Sequence, residues 1–409
     1  MPARIRSIET RVPDTVLSQD VVRDIFRTQP GVSRLAQRII GAAFDGSAIE
    51  TRHTVIAELG QAGVNATTGT PNPADADAPT FYSATDGLIL NPGTGVRNDV
   101  YSREAPGLLV GAARAALDAS GFEASDVTHV VTVSCTGFFA PGPDFVLVKA
   151  LGLGTDTQRY HLGFMGCYGA FPALRSAAQF CAADPEAVVL VVCLELCTLH
   201  IRSSDDPDSI VASSVFADGA AAAIVTARED GGSGPVLDLD SFSTAITTDG
   251  ETDMAWTISD HGFEMVLSSY VPQIIEKSIT EALAPVLGTI PGALEDPTGA
   301  VPHWAIHPGG RSILDRVQST LALSDGQLAP SREVLRTAGN MSSGTVLFIL
   351  RRILHGEDDA VGGIGAGEGI GADVDPDGGR VCAMAFGPGL TVESAAMTRR
   401  TTPRTAPRP

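Results

Sequence analysis

The chain has 409 residues, 28 basic and 48 acidic, and its formal charge of −20 disfavours docking on nucleic-acid phosphates or anionic membranes. Hydrophobic residues make up 44% but aromatics only 5%, with 44 glycines, so the expected core is close-packed layers of Ala, Val, Leu and Ile, as in buried sheets covered by helices. Six cysteines without paired metal spacing exclude a disulfide framework. There is no secretory h-region and no run of about 18 apolar residues, which predicts a cytoplasmic protein without a membrane span.

In chain order, the first hundred residues are weakly patterned, and residues 61–79 (QAGVNATTGTPNPADADAP) read as a turn-rich surface excursion. From Arg103 a helical period runs to Gly121 and feeds a buried strand at 127–135. A loop at 136–143 and an apolar helix near 145–151 follow. A short strand and turn at 161–169 leads into an Ala-rich helix at 170–182, then strands at 187–197 and 216–226. From Val236 the pattern restarts: strand-like 236–246, a helix at 271–287, a strand at 303–307, helices at 311–323 and 342–354, and a final strand at 380–386. The restart predicts two analogous halves, 1–235 and 236–395. Residues 356–379, rich in Gly and Asp, bury too little apolar surface to fold alone and are expected to form a mobile loop. Residues 396–409 are expected to be a flexible tail.

Three residues stand at element ends. Cys167 lies in a Met-Gly-Cys-Tyr-Gly turn before a helix, where the dipole and unpaired N–H groups favour a thiolate; alone, it equally fits a small buried hydrophobe. His307 ends the strand HWAIH before Pro308-Gly309-Gly310, at the carboxyl edge where α/β folds place working side chains, and its ordinary structural reading is a turn cap. Asn340, in Ala-Gly-Asn-Met-Ser-Ser-Gly, is by default an N-cap. Their joint order, each at a terminus, argues for the three as one chemical unit.

The surrounding runs resemble the chalcone and stilbene synthases, the type III polyketide synthases: Gly166-Cys167, Glu195 in VCLEL, FADGAA at 216–221, IHPGG at 306–310, GNMSS at 339–343 and FGPG at 386–389. The resemblance implies an α/β, thiolase-like layered α-β-α-β-α fold with two pseudo-repeated halves, assembled as a homodimer. It implies iterative decarboxylative Claisen condensation of malonyl-CoA onto an acyl-CoA starter, then cyclisation, with CoA thioesters as substrates and no metal or redox cofactor. Cys167 would carry the acyl group, because a thiolate paired with imidazolium is both nucleophile and leaving group. His307 and Asn340 would donate to the thioester oxygen of malonyl-CoA as CO₂ departs, an oxyanion hole worth about 3–4 kcal/mol per donor. Phe216 would be a gate between CoA tunnel and condensation cavity, and its ordinary reading is a core aromatic. Phe386, Gly387, Pro388 and Gly389 would shape the cavity floor, with Ala385 where the family has Gly. Glu195 would anchor structure. Arg52 falls near where the family binds CoA phosphates; its ordinary reading is a solvated surface Arg.

Several cavity positions depart from the plant pattern. Cys135, in Ser-Cys-Thr-Gly, stands where plant enzymes have Thr, as in many bacterial members; tetrahydroxynaphthalene synthases use a second thiol there, and a packed thiol is the ordinary reading. His200 stands where a small Thr is common. Met265 replaces a second gating Phe, and its flexibility opens a route for a long-chain acyl starter and a pyrone or resorcinol product. Three alternatives stay open: a malonyl-CoA-only tetrahydroxynaphthalene-type synthase, a ketoacyl-carrier-protein synthase of the initiating type, and a non-catalytic partner retaining the fold. A degradative thiolase needs a second acid/base Cys, and Cys382 lies inside a predicted strand.

Overall fold

The computed structural model describes residues 2–60, 79–230, 233–247, 249–268, 270–357 and 379–402. The expected surface excursion and Gly/Asp-rich loop lie, but for their outermost residues, outside that set, as does the chain after Thr402. The first half runs β1 (Arg4–Arg11), β2 (Thr15–Ser18), α1 (Gln19–Arg27), α2 (Arg34–Asp45), β3 (Thr51–Thr54), α3 (Ala57–Gly60), β4 (Tyr82–Ser83), β5 (Leu88–Ile89) and α4 (Thr94–Ser120). It continues with β6 (His129–Ser134), α5 (Pro143–Leu151), β7 (Gln158–Gly163), α6 (Ala170–Ala183), β8 (Val188–Leu196), α7 (Pro207–Val215) and β9 (Asp218–Thr226). The second half holds β10 (Gly234–Ile246), a hairpin of β11 (Met254–Ser259) and β12 (Gly262–Leu267), α8 (Val271–Leu287), α9 (Pro297–Ala300) and β13 (His303–Ile306). It closes with α10 (Arg311–Leu321), α11 (Asp325–Ala338), α12 (Thr345–His355), β14 (Arg380–Gly387) and β15 (Thr391–Thr402).

One mixed sheet has the order β13-β14-β15-β10-β1-β9-β8-β6-β7. Within it β6-β8-β9-β1 and β13-β14-β15-β10 are the same arrangement twice: a parallel pair, then two antiparallel ones. The repeat that the sequence showed only as a pattern is a repeat of topology, with β7 added at one edge. The two halves join where β1 meets β10, over Arg4↔Asp238 and Ile5↔Leu237 alone.

Side-chain alternation stacks these parts into layers. Along β8, Val188, Leu190, Val192 and Leu194 face one core with α1, α2 and α4, while Val189, Val191 and Cys193 face a second core built on α6 and α12. Along β14, Val381, Ala383 and Ala385 face that same second core, and Cys382, Met384 and Phe386 face a third, covered by α8, α10 and α11. The sheet thus folds back around α6 and α12, which gives the α-β-α-β-α stack. Strands buried on both faces have no polar side, which is why they read as continuous apolar runs. The four consecutive alanines at 220–223 of β9 are fully buried and let helices approach the sheet closely.

Several bounds differ from the sequence expectation. Helix α4 begins at Thr94 rather than Arg103, with Pro106 inside it, and closes on Gly121 in the left-handed region at φ 81°. The first hundred residues hold real elements: α1 is polar in composition yet buries Val22, Ile25 and Phe26. The flexible tail expected from residue 396 is corrected, because β15 runs to Thr402 and pairs with β10 as far as Gly234. Its Arg400 meets the buried Asp238 carboxylate at 2.7 Å, so the charge that suggested fraying is neutralised in the sheet.

The central layer serves both halves, so it should be the most sensitive to lost volume. Leu350→Ala, at a fully buried α12 position, is expected to cost about 3 kcal/mol, while Leu35→Ala on the exposed face of α2 should stay within about 0.5 kcal/mol. Denaturant melts of the two variants check this.

Candidate active site

Both central helices begin in the same way. A 3-10 turn at Gly166–Tyr168 precedes α6, and another at Ser342–Gly344 precedes α12. Gly166 has φ 72°, and a Cβ there would sit 2.3 Å from Pro388 Cδ, so only glycine fits. These turns meet face to face and bring Cys167 from one half beside Asn340 and Ser342 from the other.

Asn340 is fixed by its backbone and by one side-chain atom. Its N–H donates to Val215 O at 2.9 Å, and its carbonyl accepts from Ala217 N at 2.9 Å. Its Oδ1 accepts from Ser342 N at 2.8 Å, which caps the turn and leaves the amide NH₂ to donate toward Cys167. The turn-capping role uses Oδ1, so it does not compete with a donor role for the NH₂.

His307 follows β13 and donates its backbone N–H to Met384 O at 2.9 Å. The residue is 1% exposed, and neither ring nitrogen has a hydrogen-bond partner among the described residues. Burial pushes the imidazole down to about 3, so it is neutral at ordinary pH and offers one N–H.

Burial also pushes the Cys167 thiol up to about 12, against hydrogen bonds from Ser342 and Asn340 that pull the other way. This corrects the expected dipole-lowered thiol. Full burial shifts a pKa by up to about 3–5 units, whereas a helix terminus is worth about 0.3–1 kcal/mol, under one unit. A thiolate and an imidazolium formed together would each offset the other's desolvation, so the charged form requires the pair.

Cys167, His307, Asn340 and Phe216 line one cavity of about 510 Å³, with Met265 and Phe386 on its walls and Gly310, Arg311 and Arg316 toward α10. Phe216 and Met265 also border two small spaces, of about 20 Å³ beside Cys135 and Cys197 and about 40 Å³ beside His200. Trp256 lines both small spaces and donates its Nε1–H to the Cys135 carbonyl at 2.8 Å.

His200 is a fixed part of the wall. Its Nδ1 accepts from Phe263 N at 3.0 Å, so Nε2–H donates to Thr136 O at 2.8 Å, and the ring stacks on Phe263 at 4.3 Å. Burial holds its imidazole down at about 3. Cys135 borders the 20 Å³ space; its Sγ accepts from Gly166 N at 3.1 Å, and burial holds the thiol protonated. Phe386 reaches the main cavity, while Gly387 and Pro388 pack beneath the Cys167 turn: a Cβ on Gly387 would sit 2.4 Å from Tyr168. Gly389 takes φ 72° and lines none of these spaces.

Glu195 is fully buried and accepts from Cys135 N and Thr136 Oγ1, both at 2.9 Å, and from Ser343 Oγ at 2.6 Å. Burial pushes its carboxyl up to about 7.

Arg52 does not stand where a phosphate could reach it. It is 2% exposed and donates to the carbonyls of Ser213 at 2.8 Å and Phe216 at 2.6 Å, which excludes both the CoA-phosphate and the surface readings. Trp256, Cys197 and Ser342 went unrecognised as cavity residues. Only Ser342 had a signal, in the GNMSS run. No group of three or more His, Cys, Asp or Glu suited to a metal occurs among the described residues. No helix among them is long and apolar enough to cross a membrane.

Residues 88–229 match the family model of the chalcone and stilbene synthases, N-terminal domain, and residues 238–401 that of their C-terminal domain. Bisdemethoxycurcumin synthase of Oryza sativa subsp. japonica is 33% identical over 305 residues, 74% of this chain and 73% of that protein. Probable polyketide synthase 1 of Dictyostelium discoideum is 32% identical over 254 residues, 62% of this chain but 8% of that protein. Among solved structures, PKS-I of the brown alga Ectocarpus siliculosus aligns with TM-score 0.82 at 28% identity, over 98% of each chain. The C-terminal type III polyketide synthase domain of Steely1, from Dictyostelium, aligns with TM-score 0.78 at 26% identity, over 97% of this chain and 99% of that one.

The burial shifts make a pH-dependent expectation. A thiol reacts as its thiolate, whose fraction rises about tenfold per pH unit below the pKa. In His307→Gln burial and the nearby Glu195 carboxylate still hold the Cys167 thiol up against its hydrogen-bond donors, with no imidazolium to offset them, so alkylation by iodoacetamide at pH 7 should fall by about tenfold or more and climb with pH without a plateau below about 10. Peptide mass spectrometry across pH, beside the unaltered protein, reads both outcomes.

Proposed function

The chain belongs to the chalcone and stilbene synthase family of type III polyketide synthases, acyltransferases of thiolase-like fold, and from that premise we propose that Cys167, His307 and Asn340 carry an iterative condensation of malonyl-CoA onto an acyl-CoA starter. The observation that carries this reading is the His307 ring, buried in the Cys167 cavity with both nitrogens unpartnered among the described residues. An unmet buried polar group costs about 1–3 kcal/mol, a cost a substrate oxygen would remove.

In the loading step the Cys167 sulfur attacks the starter carbonyl carbon. The carbon–sulfur bond to CoA breaks, and CoA leaves with the proton that His307 took from the thiol. Malonyl-CoA then loses its carboxylate as CO₂, and the electron pair of the broken carbon–carbon bond forms an enolate. Its oxygen sits between the neutral His307 N–H and the Asn340 NH₂. Donors held in place before charge develops need no reorganisation during the step, which is what makes them effective. The enolate carbon attacks the acyl carbon on Cys167, and the thiolate leaves, ready for the next round. Each half contributes one side of this site: 1–235 the nucleophile, 236–395 the two donors. The chemistry uses CoA thioesters in the cytoplasm and calls on no metal or redox cofactor.

At the cavity mouth the phosphate end of CoA falls to Arg311, Arg316 and the N-terminus of α10. This replaces the Arg52 assignment, since the lining residues that precede Arg52 in the chain, Ala42, Ala43, Gly46 and Ser47, include no cation. Beyond Phe216 the free space is only about 20 and 40 Å³. That favours a compact starter, malonyl-derived units included, over the long-chain starter that Met265 suggested. A second copy of the chain would meet edge strand β7, whose residues 158–161 are exposed beside the exposed Phe138.

Product mass spectrometry tests the reading. Protein given malonyl-CoA, alone and with short, aromatic or long acyl-CoAs, should release CO₂ and form a cyclised product with malonyl-CoA alone or a compact starter, and Cys167→Ala should form none. Trp256→Gly should shift products toward longer starters or more condensations. A product retained by Cys167→Ala, or none from any starter, overturns the proposal. Sedimentation equilibrium should show a dimer, and a monomer at micromolar concentration would count against the β7 contact.

A further inference from the structure

Arg52, on β3, lies at the junction between the two halves of the site. Its guanidinium reaches the carbonyls of Ser213 and Phe216, at the end of α7, where helix carbonyls have no partner within the helix. A cation there also meets the negative end of the helix dipole. The same stretch of backbone holds Asn340 through two hydrogen bonds, Asn340 N to Val215 O and Ala217 N to Asn340 O, each 2.9 Å. On its other side the Arg52 stem lies against Gly339, with φ 73°: a Cβ there would sit 2.9 Å from Arg52 Cγ and 3.1 Å from Val215 O. The Phe44 ring lies 5.7 Å below the guanidinium.

We propose that Arg52 is a positioning residue that sets the Phe216 gate and the Asn340 amide together, by holding the backbone that joins them. The inference rests on reading those two residues as parts of the condensing site. Arg52 touches no substrate in this role. It makes the gate and the oxyanion donor one mechanical unit, so a displaced guanidinium moves both. Loading of Cys167 draws on His307 as its base and condensation on the Asn340 amide as oxyanion donor, which separates the two half-reactions. A misplacement of about 1 Å at such a site can cost about a hundredfold in rate.

Arg52→Lys keeps the charge but shortens the reach to the two carbonyls that the single Arg52 Nη1 bridges, and removes the planar group that lies over Phe44. In this variant and in Arg52→Gln, kcat for condensation should fall by about tenfold or more, with KM for malonyl-CoA and single-turnover acylation of Cys167 each within about twofold. Arg52→Lys should retain more activity than Arg52→Gln. A raised KM with kcat intact would overturn the proposal in favour of phosphate binding. Parallel loss of acylation, condensation and melting temperature, or failure of both variants to fold, would overturn it in favour of a purely structural role. A crystal structure of Arg52→Lys reads the geometry without catalysis: Phe216 and Asn340 should both be displaced. If both stay in place, the proposal fails even where the condensation reading stands; if both move in a protein that makes no polyketide, the condensation reading fails and the coupling stands.

Discussion

The Glu195 carboxylate accepts from Cys135 N and Thr136 Oγ1 on the first half of the site and from Ser343 Oγ on the second, and it does so without solvent. Burying a charge is costly unless its lone pairs are met, and here three donors arrive from two separate turns. Only one relative placement of those turns satisfies them. The Cys135–Thr136 turn and the Ser343 turn are therefore registered to each other by the cost of leaving that carboxylate unmet. Burial raises the thiols of Cys135, Cys167 and Cys197, and the Glu195 carboxylate, in whose field all three lie, raises them further.

That registration explains the economy of the site. Each half supplies a helix to the central layer, and each helix opens on a 3-10 turn, the first holding Cys167 and the second lying just after Asn340. The cavity lies where the two repeats abut: Cys167 comes from one, and His307 and Asn340 from the other. The walls divide in the same manner, with Phe216 from the first half and Met265 from the hairpin of the second lining all three spaces.

Cys167, His307 and Asn340 stood out in the sequence because each lies at the end of an element, and Cys167 and Asn340 each follow a glycine, a local signal. Strands β8, β9 and β14 were legible because burial on both faces removes the polar alternation. Arg52 was misread because its role is set by β3, where Thr51–Thr54 alternates half-buried and buried, and a four-residue strand has no pattern of its own. His200 looked like an open cavity position, yet its partners Thr136 and Phe263 are distant in sequence and meet only in the fold. The thiol shift was misjudged for a related reason: a helix terminus can be read from sequence, but depth of burial cannot.

Strand β10 pairs with β1 on one side and β15 on the other, and Asp238 faces Arg4 across one ladder and Thr398 across the other. Its carboxylate meets Arg4 at 3.3 Å and Arg400 at 2.7 Å, so one cation comes from the earliest strand and one from the last. A chain emerging from the ribosome must carry β10 through the synthesis of nearly 150 further residues with one edge bare. During that interval an apolar, hydrogen-bond-hungry edge and a half-neutralised acid are exposed together, and such edges recruit strands from other chains. Pairing with β15 removes that bare edge and completes the neutralisation of Asp238 in one step.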